Sequence, residues 1–400
     1  MKTTHPILGA RALNRASLAR QLLLDRADVP VLDAVAHLCG LQAQEPQEPY
    51  VGLWSRLRAF KAAELSDLLV RRGVVRTHLM RRTVHLLTAE DVLAWRPRHD
   101  AMLRQRVLGT YRRELAGVDL DGLAAAGLAV MADGEPRSMA ELARAVADRW
   151  PEAGTRPLGE MLVAALIPMV QMPPRGVWRA KGGVRNALLS TWLGSEAAPP
   201  YGVDGGGTDR VGADGDGVNR DGVNRDGADG DGVDRDGGDS AGKMLVRRYL
   251  AAYGPAATAD IRAWSGLAGL PAAVASIRDE LVAFRDERGR ELLDLPDAPR
   301  PGPDVPAPVR YLPAFDNALL GYDDRTRIVD DAHRLLSVAG TRVVLVDGRV
   351  SATWTDQDGA VTVTPLRALS RAEHAEVAEE GRALAAFLSE GATDHVLISS

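Results

Sequence analysis

The chain of 400 residues, 46% of them hydrophobic, is long enough for two or three domains with real cores. No basic start followed by a long apolar run and no apolar stretch of about 18 residues occurs, so the composition points to a cytoplasmic protein without a leader or a membrane span. A single cysteine, Cys39, excludes an internal disulfide and a cysteine-rich zinc site, and the net charge of −5 hides an uneven distribution: residues 201–242 hold 11 Asp and 4 Arg, while residues 1–114 carry 19 Lys and Arg against 11 Asp and Glu.

A basic N-terminal third points toward a polyanionic partner. Its first helix is expected to open at Leu13-Asn14, with Asn14 as N-cap and Leu18, Leu22 and Leu23 at helical spacing. A short apolar helix, Val31 to Cys39, stops at Gly40 and leaves Gln42 and Gln44 in a loop stiffened by Pro46 and Pro49. Residues two apart in extended chain share a face, so the two carboxamides are aimed together. On periodicity alone they read better as a polar turn between helices. Helices at Val51–Ala59 and Ala62–Arg71 follow, and then two alternating runs, Val74–Met80 and Thr83–Leu87, predict a hairpin turning at Arg81-Arg82. Helices followed by a hairpin make a winged-helix pattern, whose wing carries Arg76, His78, Arg81, Arg82, Thr83 and His85.

Thr88 with Asp91 begins a further helix in the manner of a capping box, and 96–113 is a basic helical bridge that ends a first unit at residue 114. A second unit, 115–194, has a Ser138–Glu141 capping box, a helix to Trp150 and another over Leu158–Leu166. Its wing is expected as strands Met169–Met172 and Val177–Lys181 about the turn Pro173-Pro174-Arg175-Gly176, presenting Arg175, Arg179 and Lys181. Residues 195–242, with repeats of Asp-Gly-Val-Asn-Arg and fourteen of the forty glycines, cannot bury apolar surface and are expected to be disordered. A third unit, 243–308, repeats helix, helix, helix and wing: Met244–Tyr253, a helix capped by Thr258, one started by Pro271, then Leu281–Arg285 and Glu291–Leu295. The remainder, 309–400, is a meander from Val343 through the Asp347-Gly348 turn to Val363, followed by a helix capped by Ser370 and Glu373.

The fold class expected is α+β, predominantly helical: three tandem winged-helix units with a small C-terminal β-meander and helix. No Gly-rich phosphate loop, metalloprotease helix or nucleophile elbow is present. His78 and His85 lack a carboxylate or thiolate neighbour, so neither a metal nor a cofactor is expected. What remains is the glutamine pair and its basic surroundings.

Several stretches resemble the AlkZ/YcaQ family of bacterial DNA glycosylases: Leu13 to Leu24, Gln42-Ala43-Gln44, Arg76 to Leu86, Pro174 to Trp178, Arg247 through Gly266, and Leu312 to Gly321 with its Phe315-Asp316-Asn317. The resemblance implies tandem winged helices arranged as a C-shaped clamp on duplex DNA and a monofunctional glycosylase acting on N7-alkylated guanine, in repair or in self-resistance to a DNA-alkylating antibiotic. It implies Gln42 and Gln44 as catalytic residues, and the Gln-x-Gln form is similar to the self-resistance branch. The basic residues of the two wings would then meet DNA. A monomer associated with the nucleoid is expected. The competing reading of the same units is a winged-helix regulator that binds DNA without cutting anything.

Overall fold

The computed structural model describes residues 5–195 and 240–399; the Asp/Gly-rich stretch expected to be disordered lies outside them except at its two ends. The chain is mixed α/β and predominantly helical. It opens with β1 (Ile7–Leu8), α1 (Ala10–Arg20), α2 (Val31–His37), β2 (Leu41–Gln42), α3 (Glu48–Trp54), α4 (Ala62–Val70), β3 (Val74–His78), β4 (Val84–Thr88) and α5 (Ala89–Thr110). The hairpin forms where alternation placed it, with β3 and β4 antiparallel and β2 added on the other side of β4. Thr88 caps α5 by accepting from the Asp91 amide at 3.1 Å. The expected cap of α1 does not hold: Gly9 is its N-cap. Asn14 is buried inside the helix, and its Nδ2 donates to the carbonyls of Arg327 and Gly348 at 2.8 and 2.7 Å.

The second unit contains α6 (Leu120–Val130), α7 (Met139–Val146), α8 (Thr155–Met161), which runs on as a π-helical turn over Leu162–Leu166, then β5 (Met169–Gln171), β6 (Asn186–Leu188) and α9 (Leu189–Leu193). The Ser138–Glu141 capping box is formed. Its hairpin differs from expectation: β5 pairs with Asn186–Leu188, and Val177–Lys181 is a loop rather than a strand. Gly176 and Arg179 both take positive φ (+94° and +54°), which breaks an extended run.

The third unit has α10 (Ser240–Tyr253), α11 (Thr258–Ser265), α12 (Leu270–Ser276), β7 (Val282–Asp286) and β8 (Glu291–Asp294), with β1 joining β7 in parallel. Thr258 is the first residue of α11 rather than its cap; the Asp260 carboxylate instead accepts from the Ala257 amide at 2.9 Å. Beyond lie β9 (Arg310–Leu312), α13 (Asn317–Leu320), β10 (Val343–Val346), β11 (Arg349–Gln357), β12 (Ala360–Pro365), α14 (Arg371–Leu388) and β13 (Val396–Ile398). The expected meander is the centre of a five-stranded sheet, with β9 added at one edge and β13, parallel to β12, at the other.

Each of the first three units has the chain order of helices followed by an antiparallel strand pair, yet they do not have separate cores. One apolar cluster runs from Val75, Leu79 and Leu87 of the first unit through Leu142, Leu158 and Leu162 of the second to Tyr249, Trp264 and Leu293 of the third. A second cluster packs α2, α3 and α4 of the first unit against Tyr311, Trp354, Val361 and Val377 of the C-terminal sheet and helix. Each fully buried leucine or valine contributes roughly 2 kcal/mol. The first unit is thus held on two sides, with the Gln42–Gln44 loop between. Cys39 is fully buried in the larger cluster, where burial raises its thiol to about 12 and leaves it an inert packing residue. Among the described residues no helix is long and apolar enough to cross a membrane.

Candidate active site

The loop is delivered by a glycine and a strand. Gly40 sits at φ +83°, and a Cβ there would lie 2.8 Å from the Leu86 carbonyl oxygen and 2.9 Å from Leu87 Cγ. Only glycine lets the chain turn out of α2 and enter beside β4 so closely. Leu41 and Gln42 then pair with Leu86 and His85, and the Ala43 amide extends the ladder to the Val84 carbonyl at 2.7 Å. Ala43 is fully buried, which pins the residue between the two glutamines.

Both carboxamides come to the tip of the β3–β4 hairpin. Gln42, 8% exposed, accepts at Oε1 from Arg81 Nη2 at 3.0 Å. Gln44 is exposed, and its Oε1 accepts from the Val84 amide at 3.3 Å, a long bond that leaves its second lone pair and its amide group free for another partner. The tip is a 3₁₀ turn over Met80–Arg82 in which Arg81 and Arg82 both have positive φ, +54° and +64°. Such backbone costs on the order of 1–3 kcal/mol per residue and persists where the surroundings impose it.

Under the loop lies Arg76, 1% exposed. Its Nη2 donates to the Ala43 carbonyl at 2.7 Å, while Nε and Nη1 have no partner. Burial, with Arg175 nearby as the next cause, lowers its pKa to about 10, so it remains a cation near neutrality. Gly176 closes over it: a Cβ at that position would be 2.6 Å from Arg76 Cδ. The loop that was expected to be a wing strand is docked on the first unit instead. Tyr50 Oη donates to the Gly176 carbonyl at 2.7 Å, Gln47 spans the Val177 carbonyl and the Arg179 amide at 3.1 and 2.9 Å, and Trp178 packs on Tyr50 with ring centroids 4.8 Å apart.

Three histidines near this hairpin are held neutral. Burial, then the fields of Arg96, Arg82 and Arg76, lowers His78 to about 4; burial lowers His99 to about 4 as well. His85, 1% exposed, pairs through Nδ1 with the Thr83 carbonyl at 3.0 Å, and burial followed by Arg81 pushes its pKa well down. None of the three can act as an imidazolium acid at neutral pH.

Of the residues expected to meet DNA, Arg76, Arg81, Arg82, Thr83 and His85 gather around the glutamine loop, with His78 and Arg175 beside Arg76. Arg76 and His85 lie beneath the surface rather than on it. Arg179 is drawn to the other side, donating to the Leu388 carbonyl at 2.7 Å with Glu390 at 3.7 Å, while Lys181 is exposed.

Sequence reasoning missed the residues that hold the loop from behind. Asp316, its side chain fully buried, forms a bidentate pair with Arg56 at 2.8 and 2.9 Å and caps α13 through the Ala318 amide at 2.8 Å. The adjacent Asn317 Nδ2 donates to the carbonyls of Gly40 at 2.7 Å and Leu38 at 3.3 Å, directly before the glutamines. Glu48, four residues beyond Gln44, accepts from the Ala314 amide at 2.6 Å and from Arg342. The only local sign of this was the Phe315-Asp316-Asn317 run itself; its partners lie more than 250 residues away.

With this geometry in place, comparison with known proteins decides the family. The model of the family described as "DNA glycosylase AlkZ-like" matches residues 35–387, which takes in the glutamine loop, both hairpins around it and the Asp316-Asn317 support. The chain belongs to the AlkZ-like DNA glycosylase family. It is accordingly a DNA glycosylase, a hydrolase. Among solved structures, the Streptomyces sahachiroi DNA glycosylase AlkZ superposes with a TM-score of 0.73 at 20% identity, covering 98% of this chain and 100% of that one. At that identity the likeness speaks for the fold. No curated protein sequence matches. Within this AlkZ-like fold the glutamine loop lies where the two cores meet, Cys39 and Leu87 belonging to one and Leu41 and Ala43 to the other.

Proposed function

We propose that this AlkZ-like protein hydrolyses the N-glycosidic bond of N7-alkylated guanine in duplex DNA, with Gln42 and Gln44 as its catalytic residues. The observation that carries the reading is the meeting of the two carboxamides on one hairpin tip, one of them exposed, among arginines and histidines kept neutral. Alkylation at N7 makes the purine cationic, so the C1′–N9 bond breaks with its electron pair going to N9 and the base leaves neutral. Such a leaving group needs no strong acid, in keeping with a site whose histidines carry no proton to give. Water supplies the oxygen that bonds C1′ and loses one proton to solvent, leaving an abasic sugar. Gln44 holds that water through its carbonyl, Gln42 orients water or deoxyribose through its amide, and neutral amide oxygens together with DNA phosphates stabilise the oxocarbenium-like centre.

No lysine lies near the loop in sequence, which favours hydrolysis without strand cleavage. The three helix-and-hairpin units are read as tandem winged helices embracing DNA in a C-shaped clamp, working as a monomer in the cytoplasm at the nucleoid. The Gln-x-Gln form favours protection against one alkylating natural product. The test is mass spectrometry of bases released from N7-alkylated duplex DNA. The wild type should release the adduct and leave an abasic site, and Gln44→Ala should lower the rate at least about tenfold, a loss near 1.4 kcal/mol, with DNA affinity kept. Equal release by variant and wild type would remove the glutamine from the mechanism. Tight DNA binding with no release by either would show that N7-alkylated guanine is not its substrate.

A further inference from the structure

Arg81 was expected among the residues that meet DNA. Its surroundings say otherwise. Nη1 donates to the carbonyl of Trp264 and Nη2 to Gln42 Oε1 at 3.0 Å. The Trp264 carbonyl belongs to the last turn of α11, where helical carbonyls lack an internal partner and the helix dipole is negative. The helix ends at Gly266, φ +81°, and a Cβ there would come within 3.3 Å of the Arg81 backbone nitrogen, so the glycine permits the close approach of α11 to the hairpin tip. Among the described residues Arg81 has no acidic partner; both bonds go to neutral oxygens. A cation that is not neutralised by a carboxylate makes a strong, charge-assisted bond to the Gln42 carbonyl.

We infer that Arg81 is a positioning residue that locks the Gln42 carboxamide in one orientation, carbonyl inward and amide outward, and couples it to the end of α11. The inference rests on the glycosylase reading above and deepens it. Rotating the amide by half a turn would set its N–H groups against the guanidinium, donor facing donor, so one orientation is enforced. With its carbonyl oxygen turned to the guanidinium, Gln42 presents its N–H donors to the reacting centre, and the exposed Gln44 carbonyl is the acceptor for water. The two glutamines are not interchangeable: one gives, the other receives. The planar two-pronged guanidinium is what spans the two oxygens, which the single ammonium of a lysine cannot reproduce.

The experiment compares full-length wild type, Arg81→Ala, Arg81→Lys, Gln42→Ala and the double variant Arg81→Ala/Gln42→Ala on N7-alkylated duplex DNA. Single-turnover base release at saturating protein is read alongside DNA affinity over a series of salt concentrations. The expected result is a loss of about tenfold or more in release for both Arg81 variants, with affinity and salt slope unchanged. In the Gln42→Ala background the Arg81→Ala change should cost less than about twofold, because its target is gone. A phosphate contact gives the opposite pattern: weaker binding, a salt slope reduced by about one, and normal release at saturation. That pattern, full activity in Arg81→Lys, or equal losses in both Gln42 backgrounds would overturn the inference. Side-chain amide spectra of protein labelled with ¹⁵N-glutamine, with the Gln42 signal assigned by its absence in Gln42→Ala, read the same lock without activity. The signal should be sharp and broaden in Arg81→Lys, and no change in it would also overturn the inference. A wild type that releases no base while the Gln42 signal still depends on Arg81 would bring down the N7-alkylguanine reading and leave the lock standing.

Discussion

Replacing Asp316 by alanine tests how the glutamine loop is supported. Asp316 and Arg56 have fully buried side chains and face each other with two hydrogen bonds at 2.8 and 2.9 Å. Removing the carboxylate leaves a buried guanidinium whose remaining bonds are to the Gly52 carbonyl at 3.0 Å and Gln21 at 3.4 Å, and whose Nε already has no partner. Breaking one side of such a pair costs roughly 3–5 kcal/mol, and losing the α13 cap adds about 1 kcal/mol. The sum is a large part of the 5–15 kcal/mol that keeps a typical domain folded. The expected outcome is therefore a drop in the urea midpoint equivalent to roughly 4–6 kcal/mol, with base release lost as Asn317 leaves the Gly40 carbonyl. The control is Arg56→Met with Asp316→Leu, which removes both charges and should recover most of the stability, since the pair is dear to break and cheap to replace. Tryptophan fluorescence in a urea series measures both. A loss below about 1 kcal/mol for Asp316→Ala, or a double variant no more stable than the single, would refute the reasoning.

Gly40→Ala forces a Cβ to within 2.8 Å of the Leu86 carbonyl at φ +83°; it should cost more than about 1 kcal/mol by urea denaturation and slow base release, and a variant with both unchanged would show that β2 has room to shift. The histidines set a pH dependence. His78 and His99 ionise near 4 in the folded chain and near 6.5 when it is unfolded, so both states are neutral above 6.5, and acidification below it protonates the unfolded chain first. Thermal midpoints should hold from pH 8 to 6.5 and fall between 6.5 and 4, with a shallower fall in His99→Leu; a flat curve through that window would contradict the burial of these rings. Base release, measured at saturation, should show no histidine ionisation between pH 6 and 8.

Where structure follows local rules, the sequence was readable. The alternation in 74–88 produces the hairpin, and hydroxyl or carboxylate caps at Thr88, Ser138 and Ser370 start the helices they should. Asn14 misled because its side chain finds better partners than an N-cap offers, two carbonyls more than 300 residues away. Val177–Lys181 alternates like a strand, yet its backbone is claimed by Gln47 and Ser66 of another unit. The glutamine pair stood out as two amides in one stiff loop. What could not be read was that Arg81 belongs to Gln42, Arg76 to Ala43 and Asn317 to Gly40, since each bond joins segments far apart in sequence.

The continuous core through the first three units bears on how new substrate preferences could be made. Exchanging whole units between relatives would seat one parent's glutamines on the other parent's floor, with α11 and the 173–179 loop mismatched to the hairpin they touch and α13 to the Gly40 turn it holds. Grafting is better confined to exposed turns that no second unit leans on, leaving the chassis from a single lineage.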